Sequence, residues 1–231
     1  MKNASGSFGE WLTGLPLLEE GTPVHLYNGE LKGYQGAHAA VIDLDVGDED
    51  LQQGIYAVIR LRAEYLFATR QFDQIMFPAD AGLNISYRLY LKGRRVINQG
   101  NVTSENYYGK KYNLPVDHQV FSLYLNDVFR CAEDSQVSKQ MRIIPPDSMQ
   151  IGDVFLHVGN PGHAAIVVDM AINPKTGERV FMLAQSYRPA QQMHVLKNDY
   201  NKNISPWYPV YSKSRLITPE YVFDWEELKR F

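Results

Sequence analysis

His163, Gln185 and Ser186 are residues whose types and spacing could do chemistry together. They lie in the stretch 151–197, which reads as a strand carrying Gly152-Asp153, a Pro161-Gly162-His163 turn into a second strand, a loop, and a third strand ending Gln185-Ser186-Tyr187. The loop Asn173-Pro174-Lys175-Thr176-Gly177 has Pro early and Gly late, as a hairpin connection does. If the hairpin closes there, one-to-one antiparallel opposition pairs residues whose numbers sum to roughly 350. His163 then faces Tyr187, with Gln185 as its diagonal neighbour. His163, Ala165, Val167 and Asp169 share one face, as do Leu183, Gln185 and Tyr187. A one-residue bulge would exchange the faces and bring Ser186 to His163 instead.

An imidazole beside a carboxamide is the equipment of a general base whose tautomer is fixed by a third group. The plainer reading is a histidine that ends a strand and bonds to a turn. A base also needs a nucleophile to activate. Cys131 is the one cysteine, and its apolar helical surroundings (VFSLYLNDVFRCA) read as a buried structural thiol. Ser186 has no Gly-x-Ser-x-Gly elbow around it. Asp169 shares the face of His163 but lies too far along the strand for direct contact without curvature.

These residues need elements to position them. The segment GDEDLQQGIYAVIRLRAEYLFATRQ is the strongest helix signal in the chain. Asp48 suits an N-cap, and Glu49 and Asp50 sit where the helix dipole favours negative charge. Leu51, Ile55, Val58, Ile59 and Leu66 line one face, while Tyr56, Ala57, Leu61 and Tyr65 cover much of the rest, which describes a buried central helix. Gly54 falls in its first two turns, at a cost of about 0.5–1 kcal/mol against Ala. Close packing against a sheet would explain it. So would a place at a helix start where a thiol's pKa would be depressed. Gln52 and Gln53, with backbone N–H groups beside them, are candidate oxyanion donors.

Elsewhere the spacing predicts a short helix at Phe8–Thr13, strands at 24–27 and 37–44, strands with long loops over 72–114, and a second helix at 116–130. Thr218 as N-cap with Pro219 at N1 predicts a final helix over 221–231. The expected fold is a single α+β domain over 1–231, a central buried helix packed on an antiparallel sheet.

Composition narrows the function classes. The 231 residues are 45% hydrophobic with a net charge of −3, and no basic stripe argues for nucleic acid. Fifteen tyrosines suit core packing first and a cleft for flat or sugar-like ligands second, with Trp207 as a further lining residue. A single cysteine excludes intramolecular disulfides and cysteine zinc clusters. The six histidines show no zinc spacing, the acidic stretch 43–50 fits helix capping better than a calcium loop, and no cofactor motif is present. No run approaches a membrane span, and no signal peptide is seen. The compartment is therefore periplasm or cell envelope if an export signal has been removed, and cytoplasm otherwise.

The segments DLQQ (50–53), RLRAEYL (60–66), GDVF (152–155), PGHA (161–164), LAQSY (183–187), LKN (196–198) and SPWY (205–208) together resemble a bacterial family filed as domain of unknown function 4846. The resemblance implies a cysteine directly after Asp-Leu-Gln-Gln, so that Gly54 stands where the thiol would be. It maps the family's histidine onto His163 and its glutamine onto Gln185. Its members often carry export or lipoprotein signals, which this chain lacks. More distantly, the Gly-Asp and Gly-His-Ala strand pattern is similar to papain-like cell-wall hydrolases and amidases, an analogy of fold. The expectation is a papain-like amidase or peptidase scaffold, inactive or weakened at Gly54, with a peptide or glycan ligand such as one derived from the cell wall. Its rivals are a non-catalytic module holding the same ligand in the same cleft, lined by Ser186, Tyr187 and Trp207, and a hydrolase using His163 with Asp169 or Ser186.

Overall fold

Runs such as HAAIVVDMAI, rich in β-branched residues and free of Pro, put strands at the centre of this chain. The structure, a computed structural model, describes residues 4–99, 102–108, 112–211 and 214–231. In chain order the elements are α1 (Phe8–Thr13), β1 (His38–Val41), α2 (Ile55–Ala68), β2 (Met76–Pro78), β3 (Asn84–Ser86), α3 (Tyr87–Leu91), β4 (Arg94–Gln99), β5 (Val102–Tyr107), α4 (His118–Cys131), α5 (Asp134–Lys139), β6 (Arg142–Ile143), β7 (Val154–His157), β8 (His163–Ile172), β9 (Arg179–Gln185), β10 (His194–Leu196), β11 (Tyr208–Pro209), β12 (Leu216–Ile217), β13 (Val222–Phe223) and β14 (Leu228–Arg230). The architecture is mixed α and β with antiparallel sheets. Two compact units result: one is discontinuous, Met1–Ile59 with Met141–Phe231, and the other is Arg60–Gln140.

The discontinuous unit is built on a sheet ordered β1-β10-β9-β8-β7-β14-β6, with β11 also paired to β9. Its spine is the hairpin of β8 and β9. Asn173 closes the turn, its backbone bonded to Glu178 and Gly177 and its side chain accepting from the Lys175 N–H. Gly177 takes φ +75° there, a conformation that costs glycine little. Ile166 faces Ala184 and Val167 faces Leu183, pairs that sum to 350 as expected. A bulge then intervenes, and Asp169 faces Met182. The extra residue turns the rest of β8 over. Met170 therefore joins the core with Ala165, Val167, Phe181, Leu183, Phe155, Phe223 and Trp225, and the expected place of Asp169 on the His163 face is corrected. The Asp169 carboxylate accepts instead from the next backbone N–H, at 2.7 Å.

Two helix expectations are also corrected. Residues 48–53 form turns, and α2 starts at Ile55, so Gly54 precedes the helix rather than sitting inside it. Tertiary bonds account for this. The Asp50 carboxylate accepts from the Ala190 N–H, and the Ser186 hydroxyl lies against the Gln52 carbonyl, so neither residue is free to continue a helix. Over 221–231 the chain forms β13, a short 3-10 turn and β14. Leu228 and Lys229 pair with Phe155 and Val154, and Phe223, Trp225 and Leu228 are buried, so core packing overrides the Thr-Pro helix signal. The expected strand at 24–27 is reduced to isolated bridges, and that at 37–44 to β1.

In the continuous unit α4 is capped by Asp117, whose side chain accepts from the Val120 N–H at 2.8 Å. Its buried residues Phe121, Tyr124, Leu125 and Val128 recur at helical spacing. Phe121 stacks on Phe67 at 4.4 Å and meets Tyr87 edge-on at 5.5 Å. The expected strands of 72–114 are β2 to β5; residues 100, 101 and 109–111 of that region lie outside the described residues.

Candidate functional site

His163 opens β8 and Gln185 closes β9, so the hairpin delivers both side chains to one end of one face. His163 Nε2 lies 2.8 Å from Gln185 Oε1. The Gln185 amide nitrogen donates to Glu220 Oε2 at 2.8 Å, and Lys32 Nζ donates to Glu220 Oε1 at 2.6 Å and to the Tyr34 carbonyl at 2.6 Å. His194 Nε2 stands 3.8 Å from the same carboxylate, with Nδ1 bonded to the Gln192 carbonyl. His163 and Gln185 are 2% and 1% exposed, and Lys32 is 6% exposed. Polar groups so deeply buried persist where each finds a partner.

Aromatic rings wall the imidazole. Tyr187 meets it edge-on at 4.5 Å, Tyr221 packs at 4.9 Å, and Phe223 stacks at 5.7 Å. Burial lowers the His163 pKa to about 4, outweighing the Gln185 hydrogen bond and the Glu220 charge, which both raise it. The ring is therefore neutral near pH 7, with one nitrogen lone pair free of a proton. Burial pushes Glu220 up, while His194 and Lys32 push it down, and the net is a pKa below the ordinary value.

Gly54 lies across from the ring. A Cβ built on it would sit 3.7 Å from the Ala164 nitrogen and 4.0 Å from His163 Nδ1, ordinary contact distances. The position has room for a side chain aimed at the base. Its φ of +47° is left-handed, which costs a residue with a Cβ about 1–2 kcal/mol. α2 begins at the next residue, so the positive end of a 14-residue helix faces this place.

Other expected residues are placed as follows. Gln52 is buried, two residues before Gly54. The Gln53 amide donates to the Asp50 carboxylate at 2.6 Å, which ties it down beside the turn. The Ser186 hydroxyl sits 2.8 Å from both the Gln52 and Gln191 carbonyls, joining the loop before α2 to the loop after β9. Trp207 precedes Tyr208, which pairs with Phe181, about 13 Å along β9 from Gln185 at 3.3 Å per residue. Cys131 belongs to the continuous unit, is buried, donates to the Val96 carbonyl at 3.4 Å, and has its pKa raised by burial.

Lys32, Glu220, Tyr221 and Phe223 are site residues that sequence reasoning missed. The signal for Glu220 was the Thr218-Pro219 pair, read as a helix start. Thr218 instead closes a tight turn, its hydroxyl bonded to Tyr221 N and O, and that turn presents Glu220. Among the described residues no group of three His, Cys, Asp or Glu could hold a metal, and no helix is long and apolar enough to cross a membrane.

No curated protein and no solved structure matches the chain. The family model described as domain of unknown function (4846) matches residues 1–230, nearly the whole length over which the segments around Gly54, His163 and Gln185 are spread, and the chain belongs to that family.

Proposed function

We propose that the discontinuous unit is a papain-like amidase or peptidase scaffold of the bacterial cell envelope, with Gly54 standing in the nucleophile's position. The observation that carries this reading is the 4.0 Å between a Cβ at Gly54 and His163 Nδ1, while Gln185 holds the other ring nitrogen. A nucleophile, a base and an orienting carboxamide form the logic of such a site. The helix start adds a positive end that would stabilise a thiolate. Without a thiol the site forms no acyl-enzyme, and hydrolysis by that route is absent or weak.

The test is Gly54→Cys. The introduced thiol should alkylate with iodoacetamide at a rate set by a pKa well below the free value of about 8.5. Buried Cys131 serves as the slow internal reference. Adding His163→Ala should return the thiol to ordinary behaviour. An unshifted pKa for the thiol of Gly54→Cys would falsify the site assignment.

The left-handed φ of Gly54 favours a second reading, in which glycine is the residue this backbone wants and the site holds a peptide or glycan without turnover. Equilibrium binding of peptidoglycan fragments with no released product in the unchanged protein, and no hydrolysis gained by Gly54→Cys, distinguishes it from the first.

A further inference from the structure

We propose that Glu220, oriented by Lys32, dictates which nitrogen of His163 carries the proton, and is thereby the positioning residue of this site. The inference deepens the reading of His163 as a base and rests on it only for its functional meaning. The order of donors and acceptors sets the proton's place. A lysine ammonium only donates, and Lys32 Nζ lies 2.6 Å from Glu220 Oε1. An ionised carboxylate only accepts, so at 2.8 Å Glu220 Oε2 must receive the amide N–H of Gln185. That choice turns the other end of the carboxamide, its oxygen, toward the ring. Gln185 Oε1 then requires a proton on His163 Nε2, 2.8 Å away. In a neutral imidazole the remaining nitrogen, Nδ1, is left with its lone pair, and Nδ1 is the atom that faces Gly54. Without the carboxylate, Gln185 could present either end, and the base could point its lone pair away from the place where chemistry would happen.

The same logic forecasts an inversion. In Glu220→Gln the new amide keeps its oxygen toward the Lys32 ammonium and offers its NH2 to Gln185. Gln185 flips to accept, its own NH2 turns to the ring, and His163 must carry its proton on Nδ1. Glu220→Asp keeps an acceptor-only group and should keep the original tautomer.

The measurement is the 15N spectrum of the histidine rings in 15N-histidine-labelled protein at pH 7, with His163 assigned by its loss in His163→Gln. The unchanged protein and Glu220→Asp should show Nε2 protonated and Nδ1 unprotonated; Glu220→Gln should show the reverse. Protonation at Nδ1 in the unchanged protein overturns the proposal whatever the variants do. So does a folded Glu220→Gln with an unaltered tautomer, or a Glu220→Asp that inverts. Should Glu220→Gln not fold, the unchanged protein and Glu220→Asp still decide. The tautomer is read in the Gly54 protein, so its failure is separate from a failure of Gly54→Cys to yield an activated thiol.

Discussion

Each unit buries polar groups, and it uses them differently. In the continuous unit the Tyr124 hydroxyl donates to the Ile85 carbonyl at 2.8 Å, inside a cluster of Phe67, Tyr87 and Phe121 rings. The bond ends there, on backbone. In the discontinuous unit Lys32, Glu220, Gln185 and His163 bond in sequence, and the series runs out at Nδ1, aimed at a residue without a side chain. Burial raises both Tyr87, to about 12, and Tyr124, which silences them. Burial lowers His163 to about 4, which leaves it an unprotonated base. The same desolvation keeps both groups neutral, because it disfavours the charged form of each, and it leaves a proton on the tyrosines and a free lone pair on the imidazole. A buried polar group marks a candidate site when its bonding is open-ended.

The comparison breaks first at Glu220. Glu220→Leu leaves the buried Lys32 ammonium without its counter-charge, with only the Tyr34 carbonyl to accept from it, and the Gln185 amide without its acceptor, and should cost about 3–5 kcal/mol in urea unfolding. If it costs no more than the loss of a single neutral hydrogen bond, the two clusters are energetically alike. A smaller effect comes from pH. The His163 pKa lies below its unfolded value of 6.5, so the unfolded chain binds the extra proton first as pH falls. The stability that comes with a neutral ring is fully present above pH 6.5 and is lost progressively toward pH 4. Between pH 7 and 4.5 the unchanged protein should lose about 2–3 kcal/mol more than His163→Gln. Equal losses would place the ring in water. The smallest effects sharpen the other side. Tyr124→Phe should cost about 1 kcal/mol through the lost hydrogen bond to the Ile85 carbonyl. Tyr87→Phe should be neutral within about 0.5 kcal/mol, or stabilising, since among the described residues the buried Tyr87 hydroxyl has no hydrogen-bond partner. Thermal midpoints of the two variants, compared side by side, check the order.

The hairpin half of the site was legible in the sequence because its information is local. Asn173 and Gly177 set the turn, and two-residue periodicity then carried Gln185 to His163. No residue type announces the bulge after Val167, so the sequence permits it without placing it. The helix signal points to Gly54 but not to its conformation ahead of the helix, because the bonds from Ser186 and Ala190 come from more than 130 residues away. Lys32 and Glu220 are 188 residues apart, and nothing in either neighbourhood signals a buried pair. Trp207 stands out by residue type alone, and the β11 pairing fixes only its neighbour Tyr208, opposite Phe181 in the middle of β9.

The interrupted course of the first unit also bears on how the protein is made. All internal contacts of the continuous unit are available once residue 140 has left the ribosome, whereas Lys32 and Gly54 must wait for His163, Gln185 and finally Glu220. Chains tend to fold unit by unit as they emerge, and distant pairings close slowly. During translation the first 59 residues are therefore the vulnerable part, their apolar segments exposed until the strands that cover them have been synthesised. Growth at a raised temperature or with scarce chaperones should show this as nascent chains cut within the first segment while residues 60–140 resist.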